Sequence, residues 1–104
     1  MKSQVQGQAL SDLRQKSEGV ASLLKHLSHP PRLLILCALA EGELSVGDLE
    51  QACGASQSSV SQFLKAMKME GLVEARRDGK QVYYKIADQR VVKLMKSLYQ
   101  IFCR

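Results

Sequence analysis

The sequence predicts a mainly α-helical domain carrying one small β-hairpin, an α+β fold, and three observations predict it. Apolar residues recur at steps of three and four through most of the 104 residues. Gly54 and Ser56 interrupt that pattern between two short helices, as a helix terminator and a helix cap would. Around Asp78-Gly79 the period changes from helical to alternating, which suits a tight hairpin.

Taken in order, Leu10, Leu13, Ser17, Val20, Leu24 and Leu27 form one seam along a helix of about four to five turns. The polar first eight residues before it are candidates for disorder. A second helix starts at Pro30 with Ser28 placed as its cap and His29 at the junction, and Leu33 to Leu39 makes it apolar. Ser45 and Asp48 resemble a capping box for a third helix, with Val46, Leu49, Ala52 and Cys53 on one apolar face. Gly54 ends that helix and Ser56 caps the next. In that fourth helix Val60, Phe63, Leu64 and Met67 repeat at helical spacing, while Gln57, Ser58, Ser61, Gln62 and Lys65 fall largely on another face. Residues Leu72 to Arg76 look extended, and Asp78-Gly79 is expected to supply the φ > 0 residues of the turn. Val82, Tyr84 and Ile86 then alternate with Gln81, Tyr83 and Lys85 as a half-buried strand. Asp88 is placed to cap a last helix, in which Val91, Met95, Leu98 and Phe102 step by four and three.

Helix, tight turn, polar-faced helix and basic hairpin, in that order, describe a winged helix-turn-helix, and duplex DNA is the partner that order predicts. Gln57, Ser58, Ser59, Ser61, Gln62 and Lys65 offer amide, hydroxyl and ammonium groups that can reach base edges and phosphates in a major groove. Arg76, Arg77 and Lys80 cluster at the hairpin, placed to grip phosphate or enter a minor groove.

Composition agrees. The length suits a single domain over residues 1–104 with a modest core, for which a dimer interface is a natural source of stability. Fifteen Lys and Arg against ten Asp and Glu give a net charge of +5, and doubling it in a dimer suits a polyanionic partner. The apolar seams of the two terminal helices predict a homodimer built on them. Two-fold symmetry would place the recognition helices about 34 Å apart, which calls for an inverted-repeat operator. The N-terminus lacks an apolar signal segment and no apolar run reaches membrane-span length, so the expected location is the cytoplasm, with no membrane partner. Three cysteines in a reducing compartment argue against a disulfide framework and leave packing, metal binding or redox chemistry.

Over nearly its whole length the chain resembles the ArsR/SmtB family of repressors. The residues that carry the resemblance are Leu24 to Leu33, Glu43 to Leu49, the Ser56 to Leu64 helix, Gly71-Leu72-Val73 and the Arg77-Asp78-Gly79-Lys80 wing. The resemblance implies a homodimer that binds an operator until an inducer releases it. Where family members commonly have a Ser-x-His-Leu run in the recognition helix, this chain has Ser61-Gln62-Phe63-Leu64. Phe63 therefore either alters the groove contact or packs inward.

The resemblance also bears on the inducer. Arsenic and cadmium sensors of the family place a Cys-x-Cys pair where this chain has Ser45 and Gly47. Zinc and nickel sensors place Asp and His ligands on the last helix, whereas Val91 to Arg104 contains neither. His26 and His29 do not make a four-coordinate site by themselves and read as structural. No metal and no cofactor are expected. From the residues alone, Cys37 reads as a small buried hydrophobe and Cys103 as an exposed thiol. The resemblance adds a role, because sulfide-responsive members, the BigR/SqrR/YgaV type, carry cysteines in matching runs. Here these are Ile35-Leu36-Cys37 and Tyr99-Gln100-Ile101-Phe102-Cys103. This implies a Cys37/Cys103 redox sensor for persulfide or polysulfide, bridged on oxidation, that releases the operator and derepresses sulfide-detoxification genes. Arg104 is a cation placed to favour a Cys103 thiolate. Cys53 reads as a packed core residue. Two alternatives stand beside this reading: a HlyU-like virulence regulator without thiol sensing, and a thiol peroxidase or persulfide carrier. The second lacks a recognisable catalytic environment, so no enzyme activity is expected.

Overall fold

A computed structural model describes the backbone of residues 2–103 and the side chains of residues 7–103. Five helices and three short strands follow one another: α1 (Lys2–Leu27), α2 (Pro30–Leu39), β1 (Leu44–Ser45), α3 (Val46–Cys53), α4 (Gln57–Met69), β2 (Val73–Asp78), β3 (Gln81–Ile86) and α5 (Gln89–Cys103).

The helix ends form where side chains can satisfy free backbone groups. The Ser45 hydroxyl accepts from the Asp48 N–H at 3.1 Å while the Asp48 carboxylate accepts from the Ser45 N–H at 3.1 Å, a complete capping box. Gly54 ends α3 in the left-handed conformation, φ 64°, which costs a residue without Cβ nothing. Asp88 caps α5 by accepting from the Arg90 N–H at 2.9 Å. Ser28 does not cap α2. Its hydroxyl donates back to the Lys25 carbonyl at 2.7 Å and so closes α1, leaving His29 at the cap position of α2.

Two further expectations change at the wing and one at the N-terminus. β2 runs on to Asp78, which pairs with Gln81, so the loop is Gly79-Lys80 and only Gly79 has positive φ, 65°. Glycine at the first loop position is what a type II′ hairpin needs. A third strand joins the sheet, whose order is β1-β3-β2; Leu44 pairs with Tyr84 and Ser45 with Tyr83, all antiparallel. The helical backbone of α1 begins at Lys2, within the polar segment that looked disordered from sequence.

The core lies where α2, α3, α4 and α5 meet over the sheet. Ile35, Leu36, Leu49, Val60, Leu64, Met67, Val91 and Met95 are its fully buried side chains. Ala52, placed on the apolar face of α3 by periodicity, is exposed. Val91 and Met95 pack within their own chain, so only the far part of the α5 seam is left for a partner: Phe102 is exposed while Leu98 is half-buried.

α1 behaves differently from the rest. Its 26 residues extend for about 39 Å, and the chain measures 57 × 30 × 21 Å with a radius of gyration of 16.0 Å, against about 13 Å for a compact domain of this size. Leu10, Leu13, Val20 and Leu24 are exposed along it, and among its described side chains only Leu27, at its end, is fully buried.

Candidate nucleic-acid interface and thiol pair

The surface expected to read DNA is built by α4 and its cap. Gln57, Ser58, Ser61, Gln62 and Lys65 are all exposed, on the side opposite Val60, Leu64 and Met67. Ser59 is different. It is half-buried, its N–H donates to the Ser56 hydroxyl at 3.3 Å, and its own hydroxyl accepts from Ser56 at 3.1 Å, so it belongs to the helix cap. Phe63 packs inward: with Pro30, Pro31, Leu34, Ile35, Cys53, Ala55 and Val60 it lines an apolar cavity of about 140 Å³.

In the wing the three cations separate into two kinds. Arg76 donates to the Glu43 carboxylate at 2.7 and 3.0 Å and lies 4.9 Å from the centre of the Tyr83 ring. The guanidinium holds the Glu43 carboxyl below the usual carboxylate range. Arg77 and Lys80 are exposed and make no ion pair among the described residues. They are the wing cations left free to meet phosphate.

Sequence reasoning passed over Glu43 as a partner of Arg76, and likewise the pair Arg32–Glu70, whose two hydrogen bonds are both 2.9 Å. Their separations of 33 and 38 residues carry no local signal.

Cys37 and Cys103 come from α2 and α5. The Cys37 thiol donates weakly to the Met95 thioether, at 3.7 Å, and opens on a groove of about 480 Å³ shared with Ala40, Glu41, Lys96, Tyr99 and Gln100. Burial pushes the Cys37 thiol up, and the negative charge of a Cys103 thiolate pushes it further. Cys103 is exposed, whereas Cys53 is half-buried beside the Phe63 cavity and its thiol is also raised by burial. Arg104 lies outside the described residues. His26 Nε2 is 3.8 Å from Glu70, and among the described residues no group of three His, Cys, Asp or Glu side chains gathers as a metal site would. No helix among them is long and apolar enough to cross a membrane.

Comparison with known proteins adds the lineage. Residues 29–75 match the family model described as bacterial regulatory protein, arsR family. The biofilm growth-associated repressor of Xylella fastidiosa is 46% identical over 92 residues, covering 88% of this chain and 81% of that protein. This chain belongs to the arsR family. The crystal structure of the transcriptional repressor BigR from Xylella fastidiosa superposes with a TM-score of 0.84 at 45% identity, over 90% of this chain and 96% of that one. The transcriptional activator HlyU of Vibrio cholerae is 34% identical over 95 residues, covering 91% and 88% of the two chains. The fold is accordingly the winged helix-turn-helix of this family, and the protein is a DNA-binding transcriptional regulator.

Proposed function

We propose that the protein is a homodimeric repressor that leaves its operator when reactive sulfur species link Cys37 to Cys103. The observation that carries the reading is the placement of the two thiols: one half-buried in the groove between α2 and α5, the other exposed at the end of α5. The exposed Cys103 meets the donor first. Its thiolate attacks the outer sulfur of an organic persulfide, taking that sulfur and releasing the organic thiol. The Cys37 thiolate then attacks the Cys103 sulfur of the new persulfide and releases hydrosulfide, leaving a disulfide. Two thiols and one persulfide are thus converted to a disulfide, a thiol and hydrogen sulfide. A further persulfide equivalent would lengthen the bridge.

A bridge requires the two sulfurs in a restricted geometry, so it pulls the last turns of α5 toward α2. α5 is expected to share the dimer interface with α1, whose exposed leucines support a two-fold partner. Moving α5 moves one reading unit against the other. A difference of about 2–3 kcal/mol between the two states is enough to weaken DNA binding by roughly 30- to 150-fold. Repression is supported by the names of the similar Xylella proteins. A second reading, an activator without thiol sensing, is favoured by the likeness to HlyU.

The test is mass spectrometry of the reduced protein after an organic persulfide, paired with DNA titration of the same samples at fixed salt. A Cys37–Cys103 sulfur bridge with weakened binding is expected. Unmodified cysteines, or a bridge with unchanged affinity, would remove the sensing role. A Cys37→Ser variant that still responds normally would favour the second reading.

A further inference from the structure

Arg32 stands in the first turn of α2 with its side chain 11% exposed. From there it reaches two other helices. Its Nη1 donates to the His26 carbonyl, in the last turn of α1, at 3.2 Å. Nη1 and Nη2 together donate to the two carboxylate oxygens of Glu70, each at 2.9 Å. Glu70 is the C-terminal cap of α4, the recognition helix. One planar guanidinium therefore joins the end of the projecting helix to the end of the DNA-reading helix. A paired bond of this kind fixes orientation as well as distance, which a lysine could not do. Apart from this clamp and the 3.8 Å approach of His26 to Glu70, no hydrogen bond or ion pair among the described residues links α1 to α4.

We propose that Arg32 and Glu70 are positioning residues that set the separation of the two recognition helices, and hence the half-site spacing the dimer accepts. The inference rests on the dimer reading above, in which α1 belongs to the interface. If α1 is fixed to its partner, the reach of each α4 depends on the angle between α4 and the end of α1. Arg32 and Glu70 hold that angle at the hinge of α1, α2 and α4. Successive base pairs lie about 3.4 Å apart, so a small rotation in each subunit is enough to shift the favoured spacing by a base pair.

Direct DNA contact by Glu70 makes a different forecast. Removing a carboxylate that faced phosphate would strengthen binding to every duplex alike. Loosening a hinge leaves the half-site contacts as they were and erodes the preference between spacings.

The experiment starts by selecting an inverted repeat from a library of random duplexes with the wild-type protein. Binding is then measured to that duplex, to versions with one or two base pairs added between the half-sites, and to a single half-site, for wild type, Glu70→Gln and Arg32→Lys. Sedimentation confirms assembly and thermal unfolding confirms folding. Both variants are expected to lose roughly 10-fold of the discrimination between spacings while half-site affinity stays within about 3-fold. Unchanged discrimination in a folded, dimeric variant would overturn the inference. So would equal losses on all duplexes, or unfolding of both variants, since the clamp would then hold the fold alone. A monomeric wild type, or selection of no inverted repeat, would instead remove the dimer reading, and the inference with it.

Discussion

Arg76 grips Glu43 through two hydrogen bonds, at 2.7 and 3.0 Å, and stacks over Tyr83, so the root of the wing is pinned to the residue that precedes β1. The neighbouring Arg77 has no such partner among the described residues. Adjacent arginines in one strand point to opposite faces of the sheet, and here that alternation gives Arg76 a carboxylate partner and leaves Arg77 exposed.

Arg77→Ala is therefore expected to weaken DNA binding and to lower the slope of log affinity against log salt by about 1, the signature of one lost phosphate contact. Arg76→Ala is expected to leave that slope unchanged while reducing affinity through a looser wing. A salt titration by fluorescence anisotropy separates the two, and equal slopes in both variants would mean the division is wrong.

On the recognition helix, replacing Gln57, Ser58 and Gln62 together with Ala should abolish sequence preference and leave assembly intact, as all three are exposed. Ser56→Ala acts on stability, because it removes the cap that accepts from Ser59. A loss of about 1 kcal/mol in chemical denaturation is expected. Retained preference in the triple variant would show that the reading face lies elsewhere.

Cys37 and Cys103 should separate by pH. Burial and the Cys103 charge both disfavour the Cys37 thiolate, so at neutral pH an alkylating reagent should label Cys103 well before Cys37. Cys37 labelling should accelerate only above the ordinary thiol range, near pH 8.5. The linkage has a definite sign: a thiol whose pKa is raised by folding ionises first in the unfolded chain. Its contribution is fully present below the ordinary thiol pKa and declines as pH rises through it. Peptide-resolved labelling across pH 6–10 reads the order directly, and faster labelling of Cys37 at neutral pH would contradict it.

The exposed stripe of α1 makes its own forecast. Leu13 and Leu24 are 51% and 50% exposed in the single chain. If they meet a second copy, Leu13→Glu should buy solubility at the expense of assembly and halve the mass seen by sedimentation. An unchanged mass would remove α1 from the interface.

Much of the fold was legible because it is written in local signals. The capping box of Ser45 and Asp48, the stop at Gly54, the cap at Ser56 and the helical repeat of Val60, Leu64 and Met67 each act within a few residues, and the structure has all of them. β1 was not legible, since two residues carry no periodicity and pair only because β3 lies beside them. Ser28 was misplaced as a cap for α2 because the cap position falls one residue later, on His29, while the Ser28 hydroxyl donates to the Lys25 carbonyl of α1.

By itself the sequence determined the order of helix, turn and hairpin from Pro30 onward, and that the polar side of α4 would face outward, because propensity and apolar period are properties of neighbours along the chain. Tertiary structure decided the remainder. Phe63 turned inward because Pro30, Leu34 and Val60 surround it, Arg76 was claimed by a carboxylate 33 positions away, and Cys37 was brought beneath α5 against Met95. These are contacts between segments distant in sequence, and only packing the helices over the sheet fixes which side chains meet.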